Sequence, residues 1–271
     1  MDYKLIYKYF KQTATYKIAT GILADLYVFI ETIGNIAYNG FHTCKFIIKG
    51  DINFKEVIEQ CYRFGITSLP ITLSIVGMTS VIVASQVASE MVKQGGSNFV
   101  GLLMTMLIVR EVSAVMSGFA IISMIGSSLA SEIATMKVTS QIDAMKVLNI
   151  DPIRYLFVPR ILAGTMMMPI IVVIAGIVGV LAGAVTAHLS ADLGYRAFFD
   201  SAWLGVYMKD LGVSLLKALA FGATIALVSC STGYEATGGA KGVGIATTKA
   251  VVWSFVAIVI WDMVFAMVFF F

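Results

Sequence analysis

Apolar residues fill this chain in long blocks, and the length of each block decides what it can do. Between Phe64 and Ser89 no Asp, Glu, Lys or Arg occurs. At about 1.5 Å of rise per residue that helix reaches roughly 39 Å, enough to cross a hydrocarbon core of about 30 Å. The "KQGGSN" at 93–98 reads as a reversal. A second block follows from Phe99 to Leu129, a third in the uncharged run Ile161–Ala191, a fourth from about Gly212 to Ser231 and a fifth from about Lys249 to Phe271. The pattern predicts an all-α polytopic membrane protein with spans at about 64–92, 97–130, 155–190, 212–232 and 248–270, forming one transmembrane domain over 49–271.

The first 48 residues follow another pattern. Lysines at 4, 8, 11 and 17 precede "IATGILADLYVFIETIGNIAYNG", an apolar stretch broken by Asp25 and Glu31. That mixture reads as an uncleaved amphipathic helix lying along the membrane surface, with a true span as the alternative.

Composition agrees: 59% of residues are hydrophobic and 13% charged, far from globular averages. The net charge of +3 is too small to suggest a nucleic-acid partner, and the placement of cations is more informative. With the amino terminus in the cytoplasm, Lys45, Lys49, Lys55, Arg63, Lys137, Lys146, Arg154, Arg160, Lys241 and Lys249 share that side. Lys93, Arg196, Lys209 and Lys217 fall on or toward the other. Cys44, Cys61 and Cys230 are widely spaced, and with only His42 and His188 the sequence offers no metal or disulfide framework.

Four charges within the predicted spans stand out. Arg110 and Glu111 come about a dozen residues into the second, Asp262 lies within the fifth, and Lys217 enters the fourth near its outer end. Burying such groups in hydrocarbon is costly, so each needs a partner or a polar cavity. Neighbours on a helix point about 100° apart, so Arg110 and Glu111 are poorly placed to pair with each other. Asp262 paired with Lys217 or Arg110, and a polar substrate path bounded by these residues, are both compatible with the sequence. In the third span Ala175, Gly179 and Gly183 share one face, suited to close helix packing or to a sliding surface, and Pro169 is expected to kink the helix.

"ATMKVTSQIDAMKVLNIDPIR" (134–154) interrupts this apolar chain. Ile133, Met136, Ile142, Met145 and Leu148 keep a helical period, so a cytoplasmic helix over 132–148 is predicted, ended by Asn149 and the Asp151-Pro152 step. It is either a simple connector or a docking helix. The "GGAKGVG" at 238–244 lacks the GxxxxGK[ST] of a phosphate loop, and no HExxH or GxSxG motif occurs, so neither catalytic residues nor bound cofactors are expected.

Three stretches carry a family resemblance. "SEIATMKVTSQIDAMKVLNIDPIRYLFVPR" (131–160) resembles the signature loop of the MlaE permease family, membrane subunits of lipid ABC transporters associated with MCE proteins. "GYEATGGAKGVGIATTKAVV" (233–252) is similar to that family's last cytoplasmic loop, and "REVSAV" (110–115) to its Arg-Glu motif. The resemblance implies paired permeases, each engaging a cytoplasmic ABC ATPase that binds the ATP, with an MCE-domain ring on the outer face and phospholipids or related lipids as substrate. It implies a bacterial inner membrane or plastid inner envelope. It also implies that Glu132, Met136, Lys137, Gln141 and Asp143 couple to the ATPase, and that Arg110, Glu111, Lys217 and Asp262 lie in or near the lipid cavity. Ser113, Ala114, Met124, Ser140 and Ile245 depart from the family's usual residues, which leaves room for a paralogue in the pair. The competing expectations are a self-sufficient secondary transporter or channel using Arg110, Glu111 and Asp262, and a scaffold that only anchors an MCE ring.

Overall fold

The computed structural model describes residues 14–50 and 52–270, with side chains from Ile30 onward. Lys4, Lys8, Lys11 and Phe271 lie outside the described residues, as do the side chains of Lys17 and Asp25. Among the described residues there is no strand. Helix α1 spans Ala14–Lys49. Five further helices are long and apolar enough to cross a membrane: α2 (Phe54–Lys93), α3 (Ser97–Val138), α5 (Ile153–Ala191), α7 (Met208–Tyr234) and α8 (Gly239–Phe270). Two short helices connect them, α4 (Gln141–Val147) between α3 and α5, and α6 (Tyr195–Leu204) between α5 and α7. The chain is an integral membrane protein of the all-α class.

The helices outrun the apolar blocks that announce them. α2 starts ten residues before the predicted span, on the amphipathic "FKEVIEQCY" segment. α8 starts at Gly239, so most of the stretch read as a glycine-rich loop is helical; only Glu235–Gly238 links α7 to α8, with Gly238 and Gly239 at φ +90° and +69°. The helix predicted over 132–148 is two pieces. α3 continues to Val138, and Ser140 then takes the left-handed conformation (φ 60°) before α4 begins. Asn149 (φ 59°) ends α4 as expected, and the Asp151 carboxylate accepts from the Ile153 and Arg154 amides to start α5.

Packing is closest where side chains are smallest. Ala175, Gly179 and Gly183 face α2 and α3, and a Cβ at Gly179 would lie 2.7 Å from Ser80 Oγ. The ordinary packing role therefore accounts for that stripe. α5 runs on through Pro169 without interruption of the helix. α5 and α7 touch backbone to backbone: a Cβ at Gly164 would stand 2.7 Å from the Gly222 carbonyl oxygen, and one at Gly222 would strike that of Gly164. Around this crossing lies the main core, with Phe64, Ile121, Ile133, Phe157 and Phe221 fully buried.

α1 is not among the helices apolar enough to cross. Its Thr32, Asn39 and Thr43 form one buried face, and Asn39 Nδ2 donates to Ser231 Oγ at the end of α7 (3.3 Å). Its exposed residues include Tyr38, Phe41 and Ile48, so the apolar side of this helix faces away from the protein.

Candidate functional site

Three of α3's turns are built unusually, with π turns at Ile108–Val112 and Ile122–Gly126 and a short 3₁₀ turn at Ser97–Phe99. A π turn inserts a residue and so changes which way its neighbours point, and such turns often mark functional positions. The one at 108–112 holds Arg110 and Glu111. Each reaches a different residue of α7: Arg110 Nε donates to Asp210 Oδ2 at 2.7 Å, and Lys217 Nζ donates to both Glu111 oxygens at 3.0 Å. Lys217 Nζ also donates to Asp262 Oδ1 on α8 at 2.7 Å and approaches the Arg110 carbonyl oxygen at 3.2 Å. The Arg110 guanidinium stacks 4.6 Å above the centre of the Phe270 ring.

The four intramembrane charges singled out in the sequence thus converge. Lys217 is 0% exposed while Glu111 is 39% exposed, so the cation is the enclosed centre and its carboxylate partners form the open edge. Lys217, expected near the end of its span, sits more than two turns inside because α7 begins at Met208. Asp210 was missed: it falls two residues before the apolar block and reads as loop. The signal that could have found it is the unpaired Arg110, which needs an acceptor. Two cations meet three carboxylates here, and the cluster ties α3, α7 and α8 together in a low-dielectric region where ion pairs are screened little.

A second ionic group lies at the cation-rich end. Glu132 accepts from Arg63 Nη1 at 2.8 Å and from Arg160 Nη2 at 2.9 Å, bridging α3 to α2 and α5. Arg160 is buried and also donates to the Leu156 carbonyl. Lys137 and Asp143 pair at 3.2 Å across the Ser140 turn. Lys137 and Lys146 flank the Tyr234 ring at 5.9 and 5.6 Å, which holds α4 against the end of α7. Ile142 is fully buried, and Met136 and Met145 pack on the core. Gln141 and Asp143 are exposed. So the residues read as one coupling set divide: Glu132 and Met136 turn inward, Lys137 holds the turn, and Gln141 and Asp143 face out. Arg160 and Tyr234 lie inside two of the stretches that carry the family resemblance but were not singled out there, and Arg63 lies outside every such stretch.

α4 also presents apolar residues away from the membrane-spanning bundle. Val147 is 87% and Leu148 70% exposed, with Ile150 beside them. Next to this end, Glu235 lies exposed between α1 and α8. Partial desolvation pushes its carboxyl above the ordinary range, an Asn35 hydrogen bond lowers it, Glu31 raises it and Lys249 lowers it. Among the described residues no group of His, Cys, Asp and Glu is arranged to hold a metal.

The model of the family described as "Permease MlaE" matches residues 57–268. The chain belongs to the MlaE permease family. Its relatives include a probable ABC transporter permease protein of Synechocystis sp., 37% identical over 214 residues, 79% of this chain and 81% of that one. One of Rickettsia typhi with the same description is 33% identical over 232 residues, 86% and 90% of the two chains. The protein trigalactosyldiacylglycerol 1, chloroplastic, of Arabidopsis thaliana is 35% identical over 227 residues, 83% of this chain and 64% of that one. The matched region contains both ionic groups and α4, and the MlaE assignment makes this chain a permease subunit of ABC-transporter type.

Proposed function

We propose that this MlaE permease moves phospholipids or related lipids between membranes, driven by a separate cytoplasmic ABC ATPase that docks on α4. The observation that carries the reading is the tip of α4, where Val147 and Leu148 stand exposed outside the spans. An apolar tip beside the exposed Gln141 and Asp143 suits a groove on a protein partner. Glu132 and Met136 hold the base of that tip, and Lys137 and Asp143 fix its angle. A second permease copy or paralogue would cover the exposed faces of α2 and α8, and an MCE-domain protein would take the opposite end. The lipid substrate draws support from the name of the chloroplast relative, which contains a galactolipid. A bacterial inner membrane or plastid inner envelope would house it, in keeping with the bacterial and chloroplastic relatives. Every charge a stand-alone ion path would use is held in an ion pair, which favours the ATP-driven reading over a channel.

The test is mild-detergent purification with the native genomic neighbours, followed by mass spectrometry of proteins and lipids. The native chain is expected to bring down an ATPase and phospholipid. A Val147→Asp, Leu148→Asp variant is expected to lose the ATPase and keep the lipid. Absence of an ATPase from both preparations would remove the reading's main support.

A further inference from the structure

α4 is a seven-residue helix set between two left-handed residues, Ser140 at φ 60° and Asn149 at φ 59°. A residue in that conformation breaks helical continuity, so α4 extends neither α3 nor α5 and its seating depends on its side chains. Two of its ties are apolar: Ile142 is fully buried and Met145 packs on the core. The third is Lys146, whose Nζ stands over the Tyr234 ring, 5.6 Å from its centre, while Lys137 Nζ at the end of α3 stands 5.9 Å from it. Both distances are within reach of a cation–π attraction. Lys146 is exposed, and a lysine so placed ordinarily points its ammonium into water; here it turns to the ring.

The ring is itself fixed from behind. Gly233, the residue before it, lies so close to α3 that a Cβ there would stand 2.7 Å from the Ala130 carbonyl oxygen. That backbone contact sets where α7 ends. On its other side Tyr234 meets Phe157, fully buried at the start of α5, edge to face with centroids 5.9 Å apart and ring planes at 78°. One aromatic side chain from α7 thus touches the end of α3, the last turn of α4 and the first turns of α5. Phe157 lies seven residues before Gly164, on the α4 side of the place where α5 and α7 cross backbone to backbone.

We infer that Tyr234 is a positioning residue: its ring seats α4 through Lys137 and Lys146, and a displacement of α4 reaches α5 through the ring's contact with Phe157. The inference rests on the reading that an ATPase docks on α4, and it adds the contact by which that docking enters the spans. The aromatic ring carries the role and the hydroxyl does not, so phenylalanine can replace Tyr234 and an aliphatic residue of similar bulk cannot.

The experiment takes two readings on one set of variants. In the full chain in nanodiscs, amide hydrogen exchange is followed by mass spectrometry in peptides covering 141–148, with peptides covering 172–180 as the control for global loss of stability. Tyr234→Leu is expected to speed exchange in 141–148 several-fold and leave 172–180 unchanged, and Tyr234→Phe to exchange as the native chain does. Lys146→Gln is expected to reproduce part of the rise alone and to add nothing in the Tyr234→Leu background, the mark of two side chains that act on each other. In the complex purified with its native neighbours, ATP hydrolysis and transfer of fluorescent phosphatidylglycerol to acceptor vesicles are measured together. Transfer per ATP is expected to fall several-fold in Tyr234→Leu and to return to the native ratio in Tyr234→Phe. Native exchange in Tyr234→Leu, an equal defect in Tyr234→Phe, or a native transfer ratio despite faster exchange overturns the role. Transfer by the native complex that proceeds without ATP sinks the transport reading alone, and the exchange series then decides whether the ring seats α4.

Discussion

Lys217 and Glu132 each hold two partners of opposite charge, one inside the bundle and the other at its cation-rich end. Their chemistry is alike, but their surroundings differ. Lys217 is wholly enclosed by three helices, whereas Glu132 is partly open and water can replace some of what its partners provide. A buried pair adds little over an apolar replacement of both members, yet breaking one member strands the other. An open pair costs less to form and less to lose. The inner cluster therefore specifies how α3, α7 and α8 meet, and the outer one fixes the base from which α4 projects.

The sharpest way to break this contrast is Lys217→Met, which leaves Glu111 and Asp262 without their cation. Thermal unfolding in detergent is expected to show a loss of roughly 3–5 kcal/mol. A triple variant that adds Glu111→Gln and Asp262→Asn should recover much of it. A small loss in the single variant would mean that water reaches the cluster freely. Glu132→Gln comes next, at about 1–3 kcal/mol, because the buried Arg160 keeps only a neutral acceptor. A loss as large as that of Lys217→Met would erase the distinction between the two regions.

Smaller still, the charge swap Lys137→Glu, Asp143→Lys concerns an exposed pair and is expected to shift stability by less than about 1 kcal/mol. ATPase co-purification should nevertheless fall, since the swap keeps the pair but reverses the charge that α4 presents at the exposed position 143. Retained co-purification would show that the sign of this charge does not matter to docking. The slightest effect is expected at Glu235. Its pKa is higher folded than unfolded, so the folded state binds the proton more tightly. Stability then is highest below the ordinary value of 4.5 and declines as pH rises through the raised one. Glu235→Gln should flatten that decline in a Tm profile against pH, and an unaltered slope would assign it to another group.

The spans were legible because twenty or so apolar residues without charge have few other uses. Their ends were not, because α2 begins as an amphipathic helix and α8 as a glycine-rich one before the apolar blocks, where composition alone cannot separate helix from loop. The break at Ser140 was hidden because each side keeps a helical spacing of three, Ile133 to Met136 and Ile142 to Met145; the step of nine residues from pair to pair would put them about 180° apart on a continuous helix, and that phase change is the mark of the break. In the candidate site, intramembrane charge pointed correctly to Arg110, Glu111, Lys217 and Asp262, which do converge. Asp210 escaped because it precedes the apolar block. α6 escaped because "YRAFFDSAWL" is short and lies between two apolar blocks, where no span is required.

The glycine crossing of α5 and α7 has a mechanical meaning. With Gly164 seated on the Gly222 backbone, the two helices can rock about that point but cannot slide past it without a clash. From Gly164 the helix extends about 16 Å back to Ile153, beside α4, and about 40 Å forward to Ala191. It is a beam on an off-centre fulcrum, and a straight one would magnify a push on its short arm about two and a half times at the far tip.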